Sequence, residues 1–298
     1  MDRETSLKAH LREDAAVLRV VAAACLCAIA LASCGGSSAA GGVPVANHFD
    51  ARAAYSWVKR QLAYGPRPAG SPQLRKLAAA LRKALPDGRY EAVPHGLRNV
   101  VGTVPGRDPS AYVVVGAHYD TKDIAGFVGA NDGAAPTAVA VQLARTLKPR
   151  TVRPPVVFVL FDGEESPGNT PDSQFLQKGL RGSKVAARAF SRAEAMVLLD
   201  FVGQRSLRLP REGFSDPGLW RKLRGAAHAV GYGSVFPGTA GASIYDDHHP
   251  FLQRGVPSID LIDWPYSCYH VTCDDLSQIS QRSLDATGES VLQLLRTL

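Results

Sequence analysis

The chain has 298 residues, 45% of them hydrophobic and 20% charged, with a formal net charge of +7. This composition supplies a packed core and excludes a globally disordered chain. Lys and Arg are scattered, with no run of four, which excludes the basic stripe of a nucleic-acid binder and fits mild attraction to an anionic membrane surface.

Residues 1–33 read as an export signal. Arg12 and Arg19 precede an apolar stretch, 20–32, shorter than the about 20 residues a membrane span needs. It ends in Leu31-Ala32-Ser33-Cys34, which resembles the lipobox of bacterial lipoprotein signal peptides. That resemblance implies cleavage before Cys34 and lipidation of its sulfur; a plain cleaved signal with an incidental Cys is the alternative. Asp2, Glu4, Glu13 and Asp14 cancel Arg3, Lys8, Arg12 and Arg19, so the exported part keeps the whole +7. Residues 34–45 follow as a flexible tether rich in Gly, Ser and Ala. The expected location is the cell envelope, extracytoplasmic and membrane-anchored through the lipid. Cys25 and Cys27 would leave with the signal. Cys268 and Cys273 remain, in a setting that permits disulfides. A bridge between them closes a small ring, worth about 2 kcal/mol by loop entropy; a pair of metal ligands is the alternative reading.

The third expected segment is one domain, 46–298. Residues 49–64 show helical spacing, with Tyr55, Val58 and Leu62 on one face. Residues 65–71, dense in Gly and Pro, read as a loop, and 72–85 as a second helix. Strand-length apolar stretches follow at 99–104, 111–118, 156–162, 195–202 and 256–262. Helical patterns lie between them at 134–147, 184–193 and 217–230, with a last helix at 283–295. The alternation predicts an α/β fold with a central mixed, mostly parallel sheet flanked by helices. Residues 112–116 and 156–161 are continuously apolar, as strands covered on both faces require. Trp57 and Trp220 fall at helical spacing and are expected in the core.

The strands end in chemistry. One runs into His118-Tyr119-Asp120, another into Asp162-Gly163-Glu164-Glu165, a third ends at Asp200, and a fourth leads by a loop to His270. In open α/β sheets ligands bind beyond the carboxyl ends of the strands, so these residues are expected to converge on one rim. Asp132 stands at the start of a helix returning from the first of these loops. Histidines with carboxylates form a donor set suited to zinc. Glu164 and Glu165 are adjacent and cannot both face one ion from a strand end; one as ligand and one as general base is the natural division. A nucleophilic serine is excluded by the absence of a Gly-x-Ser-x-Gly elbow.

The motifs His118-Tyr-Asp, Asn131-Asp-Gly-Ala, Phe161-Asp-Gly-Glu-Glu165, Leu199-Asp200 and Asp247-His248-His-Pro-Phe251 resemble, in this order, the family of zinc aminopeptidases and glutaminyl cyclases. The resemblance implies a single-domain phosphorylase/hydrolase-like sandwich with one or two zinc ions at the sheet's carboxyl edge. It implies Asp132, Glu165 and His270 as main ligands, Asp132 bridging where two ions are held, and His118 and Asp200 as ligands of a second ion. It implies Glu164 as general acid/base, with Asp200 and Asp247 as further catalytic residues. The substrates implied are peptide or protein N-termini.

Two chemistries follow from the resemblance. Glutaminyl cyclases convert N-terminal Gln to pyroglutamate with one zinc; aminopeptidases hydrolyse N-terminal residues, usually with two. Lys122, Pro136, Asp162-Gly163, Gly182-Ser183-Lys184 and Asp246-Asp247-His248 match the cyclase pattern, and cyclisation is the favoured reading. The alternatives are an aminopeptidase and a binding lipoprotein without turnover, against which the retained Glu164 argues. Asp260 stands where many cyclases have His, residues 166–172 lack a Trp, and Tyr269 replaces a Trp. Asp260, Trp264 and Tyr269 are the expected pocket residues. His248 and His249 are expected to support the site without ligating, and His48, His95 and His228 to be solvated.

Overall fold

The computed structural model describes residues 45–168 and 170–298. The expected signal, Cys34 and nearly all of the tether lie outside them. Among the described residues no helix is long and apolar enough to cross a membrane.

The first two helices are α1 (Ala51–Leu62) and α2 (Pro72–Ala84). Each starts where a side chain accepts an otherwise orphaned backbone N–H: Asp50 from Ala53 at 2.9 Å, and Ser71 from Leu74 at 3.1 Å. Strands β1 (Arg89–Val93), β2 (Leu97–Val104) and β3 (Val113–His118) come next, then α3 (Ala135–Thr146) and β4 (Val156–Phe161). A short α4 (Phe175–Lys178) and α5 (Arg181–Ala189) lead to β5 (Ala195–Leu199). The chain closes through α6 (Pro217–Ala229), α7 (His249–Leu252), β6 (Ser258–Leu261) and α8 (Gln281–Thr297).

The six strands form one sheet in the order β1-β2-β4-β3-β5-β6. β4, β3, β5 and β6 are parallel, while β2 joins β4 antiparallel and β1 joins β2 antiparallel. The mixed, mostly parallel sheet expected from the sequence is present. Every residue of β3, β4, β5 and β6 is buried, as continuous apolar runs require when helices cover both faces. One face packs Val113, Val115 and Phe158 against α1, α2, α3, α6 and α8; the other packs Val114, Val159 and Met196 against Ala186, Ala187 and Phe251 of α5 and α7.

From β3 the chain crosses to β4 on one side, and from β4 it returns to β5 on the other. The strand order thus reverses at β3, and the carboxyl end of β3 is where a crevice must open.

Several boundaries differ from the sequence expectations. β1 escaped notice because an edge strand reading Arg-Tyr-Glu-Ala-Val exposes most of its residues and carries no apolar run. The helix expected at 184–193 is α5, three residues earlier at its start and ending at Ala189. Its start is set by Leu180 in the left-handed region, φ 55°. Asp132 precedes α3 in a separate turn rather than opening it.

Candidate active site

His118 is the last residue of β3, and the chain beyond it stays buried through Asp120 and Thr121. The next loop brings Asp132 back toward the same strand end. It does so in the tight turn Ala130–Ala134, where Asp132 leaves helical geometry (φ −89°, ψ 88°) and Gly133 takes φ 94°. A Cβ at 133 would meet the Asp120 carbonyl and the His118 ring, so glycine alone fits there. Glu165 and Glu164 follow β4, Asp200 follows β5, and His270 rides on the loop after β6.

These residues form two trios that share Asp132. His118, Asp132 and Asp200 offer ligand atoms all within 4.8 Å of one another, and so do Asp132, Glu165 and His270. Asp132 turns one oxygen to each: Oδ1 lies 3.2 Å from His118 Nε2, and Oδ2 lies 3.6 Å from His270 Nε2. Asp200 Oδ1 stands 3.5 Å from His118 Nε2, and Glu165 Oε1 stands 3.0 Å from His270 Nε2. The second Glu165 oxygen lies 3.5 Å from Lys122 Nζ.

The electrostatics of this cluster call for a cation. Burial raises the Asp200 carboxyl to about 8, against the pull of His118. Burial lowers His118, but Asp120, Asp132 and Asp200 outweigh it and hold the imidazole well above its usual range. Burial and then the charge of Asp132 raise Glu165. The cluster thus retains protons that a divalent ion would displace. His118 Nδ1 and Asp132 Oδ2 are buried without a hydrogen-bond partner, the latter facing His270. Carboxylate and imidazole donors at these separations fit a borderline divalent metal such as zinc.

Supporting contacts hold the ligand-bearing segments. Asp120 accepts the backbone N–H groups of Glu164 and Glu165, each at 3.3 Å, and sits 3.6 Å from His118 Nδ1. Asp274 accepts the N–H groups of Asn131 (2.8 Å) and Asp132 (3.0 Å), and the Tyr266 hydroxyl donates to it at 2.7 Å. Cys268 and Cys273 are joined in a disulfide, with Cα atoms 5.5 Å apart, around His270. Arg67 is fully buried and donates to the carbonyls of Tyr119, Val128 and Gly129. Its positive charge faces Asp120, Asp132 and Asp274 from below. Sequence reading saw 65–71 only as a loop; a lone Arg among Gly and Pro gives no signal of burial.

Above the trios opens a cavity of about 360 Å³. Glu164, Glu165, Asp132, Asp200 and His270 line its floor, and Phe201, Ile262, Trp264, Tyr269, Ile244 and Tyr245 wall it. Trp264 and Tyr269 are among these wall residues. Phe201 stacks on Trp264 at 6.1 Å, and Tyr269 stacks on the His270 ring at 3.8 Å. Burial, then the charge of Glu165, hold the Glu164 carboxyl well above its usual range.

Two expected residues lie elsewhere. The carboxylate that lines the cavity is Asp246, whereas its neighbour Asp247 is fully buried behind the wall, facing Ser183 and Asp246. Asp260 is also fully buried and does not reach the cavity; as the third residue of β6 it lies behind Asp246, near His248. Adjacent side chains at the start of a turn point different ways, so the motif alone could not tell Asp246 from Asp247. His248 lies 3.3 Å from Glu212 and belongs to neither trio.

The chain matches the model of Peptidase family M28 over residues 99–295. It is 30% identical over 250 residues to the glutaminyl-peptide cyclotransferase of Bos taurus, covering 67% of this chain and 66% of that protein. Aminopeptidase YwaD of Bacillus subtilis (strain 168) is 29% identical over 199 residues, 60% of this chain and 39% of its own length. The chain therefore spans no more than about two thirds of these curated relatives. The solved glutaminyl cyclase of Porphyromonas gingivalis is 30% identical with a TM-score of 0.73, covering 84% of this chain and 99% of that one. Relatives of both expected chemistries are thus similar to this chain in sequence. Because the family match runs from β2 into α8 and spans every strand end that feeds the two trios, the chain is a member of peptidase family M28.

Proposed function

We propose that this protein is a zinc-dependent glutaminyl-peptide cyclotransferase, acting on N-terminal Gln of peptides. The observation that carries the reading is Glu164 on the floor of an aromatic-walled cavity, beside a ligand trio, in a chain related to solved glutaminyl cyclases. Asp132, Glu165 and His270 would hold the ion, which when bound supplies Lewis acidity to the substrate's γ-carboxamide. Glu164 takes a proton from the α-amine as its nitrogen attacks the side-chain carbonyl carbon. It returns that proton to the departing amide nitrogen. A new C–N bond forms, the old one breaks, and ammonia leaves. Phe201 and Trp264, deeper in the wall, would exclude water, which favours the substrate's own amine as nucleophile.

Aminopeptidase activity is the second reading, favoured by the second trio. His118 and Asp200 stand ready beside a carboxylate that faces both trios, as a two-ion hydrolase needs. There Glu164 would take its proton from water. Mass analysis of a Gln-initiated peptide separates the two. Cyclisation leaves the peptide one ammonia lighter with its sequence intact; release of free glutamine overturns the proposal.

We also propose that residues 46–298 form the catalytic domain, held at the cell envelope by a lipid on Cys34 and the tether that follows. The lipobox-like sequence supports this. Radiolabelled palmitate should enter the wild-type protein and not the Cys34→Ala variant; equal labelling contradicts it.

A further inference from the structure

Three of the large hydrophobic side chains left exposed among the described residues, Phe214, Tyr245 and Tyr269, stand in or against the cavity. Leu176, Phe214, Tyr245, Tyr269 and Val271 are between 37% and 47% exposed. Tyr245 and Tyr269 line the cavity, Val271 follows His270, and Leu176 follows the cavity-lining Phe175. Phe214 does not line it but packs on Tyr245, with ring centroids 5.2 Å apart. His249 completes the cluster, 4.8 Å from Tyr245 and 5.4 Å from Phe214. Val45 and Tyr90 are the other exposed members, and Tyr90 carries the guanidinium groups of Arg82 and Arg98, each 5.2 Å from its ring. Single exposed apolar residues are ordinary, but a concentration of them around a cavity marks a binding surface.

The depth order is equally clear. Asp132, Glu164 and Asp200 are at most 9% exposed, whereas Tyr245 and Tyr269 reach solvent from the same cavity. Carboxylates form the floor and aromatics the rim. A cavity of about 360 Å³ exceeds the volume of a single residue, so a peptide whose first residue sits on the floor carboxylates continues toward the rim. An extended chain advances about 3.3–3.6 Å per residue, so the next side chain must emerge at the rim.

We propose that the Phe214–Tyr245–His249 cluster is the subsite for the second residue of the substrate, and that it selects peptides carrying an aromatic or large aliphatic side chain there. This rests on the reading that the first residue occupies the cavity. Tyr and Phe rings have few rotatable bonds, so they order at small entropic cost against an incoming apolar group. The rings offer an apolar surface, and the carboxylates nearest them, Asp246 beside Tyr245 and Glu212 on the Phe214 N–H, disfavour an acidic second residue.

The test compares purified protein on Gln-Phe, Gln-Leu, Gln-Gly and Gln-Glu peptides of equal length, following ammonia and free glutamine together. The expected kcat/KM for Gln-Phe exceeds that for Gln-Gly by about tenfold, carried mainly in KM. Phe214→Ala and Tyr245→Ala should each bring that ratio down toward one, while Tyr90→Ala, which removes an exposed aromatic away from the cavity, preserves it. Equal kcat/KM across the four peptides overturns the subsite, as does a ratio that survives both rim variants. If free glutamine appears in place of ammonia, the cyclase reading falls while the Phe-to-Gly ratio still judges the subsite. Should the protein self-associate through this face, with Phe214→Ala dispersing it and no peptide preference, the rim is a contact between copies and the proposal is wrong.

Discussion

Glu164 and Glu165 are neighbours in the chain with different surroundings. Glu165 has one oxygen toward His270 and the other toward Lys122, so both are engaged in charge pairing. Glu164 faces the cavity instead, lifted by burial and by its neighbour's charge. That separates a ligand from a proton carrier by one peptide unit. Glu164→Gln keeps the shape and removes the titrating group. Turnover should fall by roughly 10²-fold or more, with zinc content by atomic absorption unchanged. Full activity in this variant retires the assigned mechanism. At this scale the sequence was most informative about residues that end core strands. His118, Glu165 and Asp200 are fixed by strands whose apolar runs are unmistakable. Arg67 and Asp246 were hidden, the first because nothing local signals its burial, the second because register within an Asp-Asp pair depends on tertiary packing.

Asp274 shows how the elements keep the ligands in step. Its carboxylate holds the turn that carries Asp132, its carbonyl accepts the Ala130 N–H at 3.1 Å, and Tyr266 fixes it from the other side. It also sits next to Cys273, at the end of the disulfide-closed loop that presents His270. The two loops are therefore fastened together by one residue. Asp274→Ala should weaken zinc binding by about 10- to 100-fold in competition with a chromophoric chelator, because two of the ligands lose their common support. Unchanged affinity would mean that the loops hold themselves. None of this clamp was legible in the sequence, since it joins residues more than a hundred positions apart. The strands and main helices were legible, because period and apolar continuity report burial directly. Their ends were not: Leu180 and Gly133 take left-handed conformations that only the surrounding packing explains.

Seen whole, the molecule buries a strongly acidic cluster inside a chain of net positive charge, and its stability without metal must depend on pH. Burial, then the charge of Asp120, raises Asp162 to about 7, and burial raises Asp200 to about 8. Groups raised on folding stabilise the fold below their unfolded pKa and lose that contribution as pH rises through the folded value. Metal-free protein should therefore melt at lower temperature at about pH 8 than at about pH 6. A flat profile without metal would show that the carboxylates do not share protons as argued. The central claim is that one zinc, held by Asp132, Glu165 and His270, supports cyclisation of N-terminal Gln. Its most direct test is titration of zinc into metal-free protein with a Gln-initiated peptide present, recording ammonia and free glutamine at each addition. The account predicts ammonia release that saturates at about one zinc per chain, with pyroglutamyl peptide as the sole organic product. Saturation at about two zincs per chain, with free glutamine released instead, would contradict it.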